Sequence, residues 1–320
     1  MILATAGYAQ GKHYAIAFYN LENLFDTLDD PHAHDEDFTP KGSYRYTDKV
    51  YRQKLHNIAS VFQSIGTGKV TDGAILIGVA EIENNRVLND LLSQPEIRSR
   101  GYKYVWYNSR DERGIDVALV YNPKFFKPLM SKPLPVSLHG SDATRDVLYV
   151  MGTLVGDTVH VLVNHWPSRR EGKEETADKR NILAMVNRKK IDGILQANPK
   201  ARILVMGDLN DNPTDGSVQQ TLGAKADRNS NLYNPWIDIF KSGKGTGVFE
   251  RVWFLFDQVI VSNGFMQNKG LRYDACEIYD RPFLRQTGGK FIGYPRRSFR
   301  GKFWNNGYSD HFPVVVYLKK

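Results

Sequence analysis

The chain has 320 residues, 41% of them hydrophobic and 24% charged, with a net charge of +8 and a pI of about 9.3. These are ordinary values for a globular protein, and the length leaves room for a large core in one big domain or two smaller ones. No stretch approaches the ~20 apolar residues that cross a bilayer, and Cys276, the only cysteine, excludes an intrachain disulfide and a thiolate metal cluster. The surplus of positive charge predicts anionic partners: nucleic acid, phosphorylated metabolites or an anionic lipid surface.

Residues 1–12 read as the remnant of an export signal, with small Gly7 and Ala9 near a cleavage point but no basic start or full apolar run. The expectation is a secreted or periplasmic protein; the alternative is an ordinary chain end in a cytoplasmic one. Residues 13–19 predict a first strand, ending at Asn20-Leu21-Glu22-Asn23. Residues 29–46, rich in Asp, Pro and His, predict a surface loop; His32 and His34 beside Asp35 and Glu36 read as solvated, because nothing fixes a metal geometry there. A helix follows from the cap Thr47, with Tyr51, Leu55, Ile58, Phe62 and Ile65 on one face.

Residues 73–80 form an apolar run, predicting a buried strand that ends at Glu81, and a short helix covers 86–92. Strands are expected at 102–107 and 115–121, then a hairpin of 148–155 and 158–163 around Gly156-Asp157, running into Asn164-His165-Trp166-Pro167. A long helix covers 175–196. The strand at 203–206 then breaks at Gly207 and delivers Asp208 and Asn210 to its C-terminal end; two residues apart on extended backbone, they point the same way. Strands at 254–261 and 312–318 complete the chain. With no repeat or linker, residues 13–320 predict one domain of two mostly antiparallel sheets covered by helices, an α/β (α+β) fold.

The chemistry-bearing residues share a location: the polar end of an apolar strand. Asn20, Glu81, His165, Asp208 with Asn210, Asp257, and Asp310 with His311 all fit it. Acids and amides suit a hard cation such as Mg²⁺, and two histidines add proton transfer or charge stabilisation. Ser168, Arg169 and Arg170 beside His165 suit phosphate contact. Asp208 to Thr214 is not a calcium loop, since Pro213 replaces the required Gly. Ser309-Asp310-His311 is not a hydrolase triad, since neighbours on a strand face opposite ways.

In order along the chain, Tyr-Asn20-Leu-Glu-Asn, Val-Ala-Glu81-Ile-Glu-Asn, Asn164-His165-Trp-Pro-Ser-Arg169, Gly-Asp208-Leu-Asn210-Asp, Phe-Asp257-Gln-Val and Ser-Asp310-His311-Phe-Pro make a set. That set resembles the endonuclease/exonuclease/phosphatase superfamily, of the deoxyribonuclease-I-like kind, over almost the whole chain. The resemblance implies a four-layer α/β sandwich with its site where the two sheets meet. It implies a phosphate-ester hydrolase using Mg²⁺, or Mn²⁺, held by Glu81 with help from Asn20 and Asp310. Asp208 and Asn210 would position or deprotonate the attacking water. His311, oriented by Asp257, and His165 would contact the scissile phosphate. Asp116 is assigned to orient His165, beside the alternative of a plain strand-start acid.

Residues 281–309 hold seven Lys or Arg, Arg296 and Arg297 among them, with no acid and with Phe283, Phe291, Tyr294, Phe299, Phe303 and Trp304 interleaved. The segment precedes Asp310-His311 and is expected to rim the site, where basic and aromatic residues suit a nucleic-acid backbone with stacked bases. The bland alternative is a solvated loop. Three functions follow: a phosphodiesterase or nuclease on nucleic acid; a phosphatase or phosphodiesterase on a phosphorylated sugar, inositol or lipid headgroup; and a basic binding module without catalysis. No obligate protein partner is evident, and a monomer is expected.

Overall fold

The computed structural model describes residues 11–138 and 143–320, so the export-signal reading of residues 1–10 lies outside the described residues. In chain order the first strands are β1 (His13–Leu24), β2 (Ala74–Ile82), β3 (Lys103–Trp106), β4 (Asp116–Tyr121), β5 (Phe126–Leu134), β6 (Val147–Leu154), β7 (Asp157–His165) and β8 (Arg202–Asp208). The remainder are β9 (Ala224–Lys225), β10 (Leu232–Tyr233), β11 (Gly247–Phe249), β12 (Val252–Phe254), β13 (Asp257–Ser262), β14 (Arg272–Ile278), β15 (Phe299–Arg300), β16 (Phe303–Trp304) and β17 (Val314–Lys319). The α-helices are α1 (Asp48–Ser64), α2 (Asn85–Leu92), α3 (Ala177–Ala197) and α4 (Trp236–Lys241).

One sheet has six strands in the order β14-β17-β1-β2-β4-β3, and a second has seven in the order β5-β6-β7-β8-β13-β10-β9. The pairs β1/β2, β7/β8 and β9/β10 are parallel and the other pairs in these sheets antiparallel, so both sheets are mixed and mostly antiparallel, as expected.

Alternation along the strands creates the layers. In β1, Ala15, Ala17 and Tyr19 pack under Leu55, Ile58 and Phe62 of α1, while Tyr14, Ile16 and Phe18 face the other sheet. In β8, Leu204 and Met206 meet the first sheet, and Ile203 and Val205 pack with Leu183 and Ile191 of α3. The result is helix, sheet, sheet, helix: the four-layer sandwich. Strands apolar on both faces follow from burial on both faces. The sheets approach closely at Gly78, where an added Cβ would lie 2.5 Å from Met206 Sδ.

Three local expectations are corrected. The 254–261 strand is two, because Leu255-Phe256 separates β12 from β13. The β6–β7 turn is Val155-Gly156, both left-handed (φ 50° and 87°), with Leu154 paired to Asp157, so Asp157 already belongs to β7. Thr47 precedes α1 without a side-chain capping bond. Strands β5 and β14 had no forecast: β5 is an edge strand carrying Pro128 and Pro133, which disguise it.

Candidate active site

The site lies at adjacent strand ends of both sheets. Parallel pairing sets His165 of β7 opposite Asp208 of β8, and antiparallel pairing sets Asp257 of β13 opposite Asp208. Gly207 permits that approach, since a Cβ there would lie 2.4 Å from the Asn164 carbonyl oxygen. From the other sheet, β1 pairs with β2 up to Asn20 and Ala80, then shifts register before Leu24. Within that irregularity Glu22, Asn23 and Glu81 take left-handed backbone (φ 49°, 52° and 62°), as Asn210 does beyond β8 (φ 46°). Such non-glycine conformations each cost about 1–3 kcal/mol and gather where structure around them over-determines the geometry. Buried Lys54 of α1 is part of that surround, donating from Nζ to the carbonyl oxygens of Glu22 and Asn23.

The Asn20 side chain joins the two sheets: its Nδ2 donates to Glu81 Oε1 (3.2 Å) and Asp208 Oδ2 (3.0 Å), and its Oδ1 accepts from the Glu22 N–H. Glu81 Oε2 accepts from Asn23 N–H at 2.8 Å. His165 Nε2 stands 3.8 Å from Glu81 Oε1 and 4.0 Å from Asp208 Oδ2. His311 Nδ1 is bonded to Asp257 Oδ2 at 2.6 Å, leaving Nε2 3.9 Å from both Asp208 Oδ2 and Asp310 Oδ1. Separations of 3.8 to 4.0 Å exceed direct hydrogen bonds and suit one bridging oxygen of water or substrate.

The two histidines are driven apart in charge. Burial, then the guanidinium groups of Arg145 and Arg113, push His165 well below the usual imidazole range. Burial also disfavours charge on His311, but Asp257, by charge and hydrogen bond, with Asp208 and Asp310, raises it well above that range. Burial lifts Asp208 to about 7 against the pull of His311, and lifts Glu22 to about 7 with Asp310 adding to it.

The donor set fits a hard divalent cation. Glu81 and Asp310 keep 16% and 34% of their side-chain surface exposed, while Asp208 and Asp257 are sealed at 3% and 0%. Asp208, Asp257 and His311 also hold ligand-type atoms within 4.8 Å of one another. That group is a hydrogen-bonded pair beside a carboxylate, and an imidazole held in its charged form offers a metal no lone pair. Oxygen from Glu81 and Asp310 is the better match, with Asn20 turning its Nδ2, not its oxygen, toward Glu81 and so holding that carboxylate.

The family model described as "Endonuclease/Exonuclease/phosphatase family" matches residues 15–320. The chain belongs to that family. Its members are phosphoester hydrolases dependent on a divalent metal. No curated protein sequence matches the chain. Among solved structures, it is similar to a Bacteroides thetaiotaomicron mannosyl-6-phosphatase (18% identity, TM-score 0.60, covering 96% of this chain and 100% of that one). It is also similar to D. rerio TDP2 complexed with single strand DNA product (14%, TM-score 0.58, 96% and 99%) and to ANGEL2, a 2′,3′-cyclic phosphatase (14%, TM-score 0.62, 98% and 99%). At these identities the likeness is one of fold.

Within this family frame, several expected site residues stand elsewhere. Asp116 is engaged by Trp106 Nε1 and by the backbone N–H and hydroxyl of Ser109, and His165 Nδ1 has no hydrogen-bond partner; Asp116 does not orient His165. What holds the His165 turn is Arg145, which donates to the carbonyl oxygens of His165 and Trp166 and pairs with Asp111. Arg169 is not free for phosphate: it donates to the Asn210 carbonyl, pairs with Asp211 and Asp215, and lies 4.7 Å over the Phe256 ring. Asn210 breaks the extended geometry that would aim it beside Asp208. Its backbone N–H donates to Asp208 Oδ1 and its side chain to the Trp166 carbonyl, so it acts by holding Asp208.

Arg170 is exposed beside Arg113 and Ser168 in a cleft next to the His165 turn. Arg297 pairs with both Glu22 and Asp310, and Arg296 is fixed through its backbone to Leu284 and Tyr308. Sequence reasoning missed Lys54, Glu22, Arg145, Thr246, which donates to Asp257, and Ser309, which donates to the Asn20 carbonyl. Lys54 had a readable signal: it falls on the apolar face between Tyr51 and Ile58.

Proposed function

We propose that the protein is a divalent-metal-dependent phosphodiesterase acting on nucleic acid, working as an exported monomer. One observation carries the hydrolytic reading: within steps of 4 Å or less, Glu81 Oε1, His165 Nε2, Asp208 Oδ2 and His311 Nε2 follow one another across the ends of both sheets. Glu81, held by the Asn20 amide, and Asp310 would hold a divalent cation, which would supply charge neutralisation on a phosphoryl oxygen. Asp208, poised near neutrality and fixed by Asn20 and the Asn210 N–H, takes the proton of the attacking water. His311, kept charged by Asp257, donates from Nε2 to a phosphoryl oxygen, while neutral His165 with its unpartnered Nδ1 donates from Nε2 on the other side.

Nucleic acid is favoured as substrate by the net charge of +8 and by the cationic, aromatic stretch 281–309 that leads into Asp310. A small phosphorylated substrate such as a sugar phosphate is the second reading, favoured by a cavity of about 480 Å³ that reaches Asp310. Incubation with plasmid DNA, RNA and a panel of phosphomonoesters, with Mg²⁺, Mn²⁺ or chelator, separates these. Salt-sensitive cleavage of polynucleotide supports the proposal; release of phosphate from monoesters alone supports the second reading; binding without turnover leaves only a binding module. Sequencing the N-terminus of secreted protein tests export, and size-exclusion chromatography tests the monomer.

A further inference from the structure

The cavity of about 480 Å³ runs outward from the Arg297–Asp310 pair, so whatever fills it lies next to the hydrolytic centre. Its walls combine three chemistries: the cations Arg251, Lys290 and Arg300, the rings of Phe291 and Tyr294, and the hydrogen-bonding groups of Gln286 and Glu250. Phe291 keeps 42% of its surface exposed where it lines this cavity. Two cations stand beside it, with Lys290 Nζ at 5.3 Å and Arg300 Cζ at 5.7 Å from its centroid.

This wall is built, not frayed. Backbone bonds Gln286 N–H to Tyr294 O and Gly293 N–H to Gln286 O, both 2.8 Å, close the loop that carries Phe291, and Arg285 bridges to Pro295 at its base. Tyr294 packs edge-on against Trp253, which stacks on Phe312 beside His311. The ring platform is therefore tied mechanically to the centre it adjoins.

Resting on the nucleic-acid reading above, we infer that this cavity takes one unpaired nucleobase adjoining the scissile phosphate, stacked on Phe291, and that the substrate is single-stranded nucleic acid or an unpaired end. A face available for stacking has a partner only where the base has left its own stack. The cavity's volume is that of a small-ligand pocket, too small for a duplex. Lys290, Arg251 and Arg300 meet the flanking phosphates, and Gln286 with Glu250 face the polar edge of the base.

The test compares kcat/KM for a single-stranded oligonucleotide and its duplex, in wild type, Phe291→Ala and Phe291→Trp, with bis(p-nitrophenyl) phosphate as a substrate for wild type. Preference for the single strand by about tenfold or more is expected, with Phe291→Ala raising KM for the single strand about tenfold and Phe291→Trp restoring it. Equal rates on single strand and duplex, with Phe291→Ala affecting both alike or neither, overturn the inference while leaving the nucleic-acid reading intact. Hydrolysis of bis(p-nitrophenyl) phosphate with no cleavage of either polynucleotide overturns both.

Discussion

His165 and His311 hold their Nε2 atoms 4.0 and 3.9 Å from the same carboxylate oxygen, Asp208 Oδ2, yet their surroundings drive them to opposite protonation states. Asp257 makes the difference, since only His311 has a carboxylate on its Nδ1. An acid and a neutral donor thus face one reacting centre. Asp257→Asn removes the group that keeps the proton on His311. The expected outcome is a loss of at least about 10²-fold in kcat/KM at pH 8, with the alkaline limb of the pH profile moving down toward neutrality. A profile whose alkaline limb stays in place removes Asp257 from this role.

Asp208 costs stability in the metal-free protein. Its carboxyl rises on folding from 3.8 to about 7, so its contribution is fully present below its unfolded value and is lost as pH rises through about 7. In chelator, the wild type should melt at lower temperature at pH 8 than at pH 5. Asp208→Asn should narrow that gap and melt higher than wild type at pH 8, while abolishing turnover. Thermal unfolding followed by circular dichroism checks this; a variant less stable than wild type at pH 8 contradicts it.

Arg169 grips the turn that positions Asp208, through the Asn210 carbonyl and the carboxylates of Asp211 and Asp215. Arg169→Ala should therefore lower kcat by about tenfold or more with KM little changed, the pattern of a lost positioning contact. A rise in KM at constant kcat would return Arg169 to substrate binding.

Lys54 is buried, and its ammonium bonds the carbonyl oxygens of two left-handed residues, Glu22 and Asn23. Lys54→Met should destabilise the fold by about 3 kcal/mol, read by urea denaturation. A change below about 0.5 kcal/mol would mean that the Glu22–Asn23 conformation holds without it.

The sandwich was legible because its strands are apolar on both faces and end in polar residues, as 74–80 and 203–206 do. The gathering of Asn20, Glu81, His165, Asp208, Asp257 and His311 was legible as a pattern of strand ends. The supports were not. Asn210 turns left-handed, so a rule for extended backbone misdirected its side chain. Arg145 reaches the His165 turn from 20 residues away, and Arg169 spends its charge on Asp211 and Asp215; neither choice of partner is visible in local sequence. Edge strand β5 hid behind two prolines that an edge tolerates.

The most direct test is a Mg²⁺ titration of bis(p-nitrophenyl) phosphate hydrolysis by wild type and Glu81→Gln, with folding verified by circular dichroism. Wild type should be inactive in chelator and saturate with Mg²⁺, while Glu81→Gln should require more Mg²⁺ and lose about 10²-fold or more at saturation. Turnover that ignores chelator, or a Glu81→Gln curve that overlays the wild type, would contradict a cation-dependent centre assembled from both sheets.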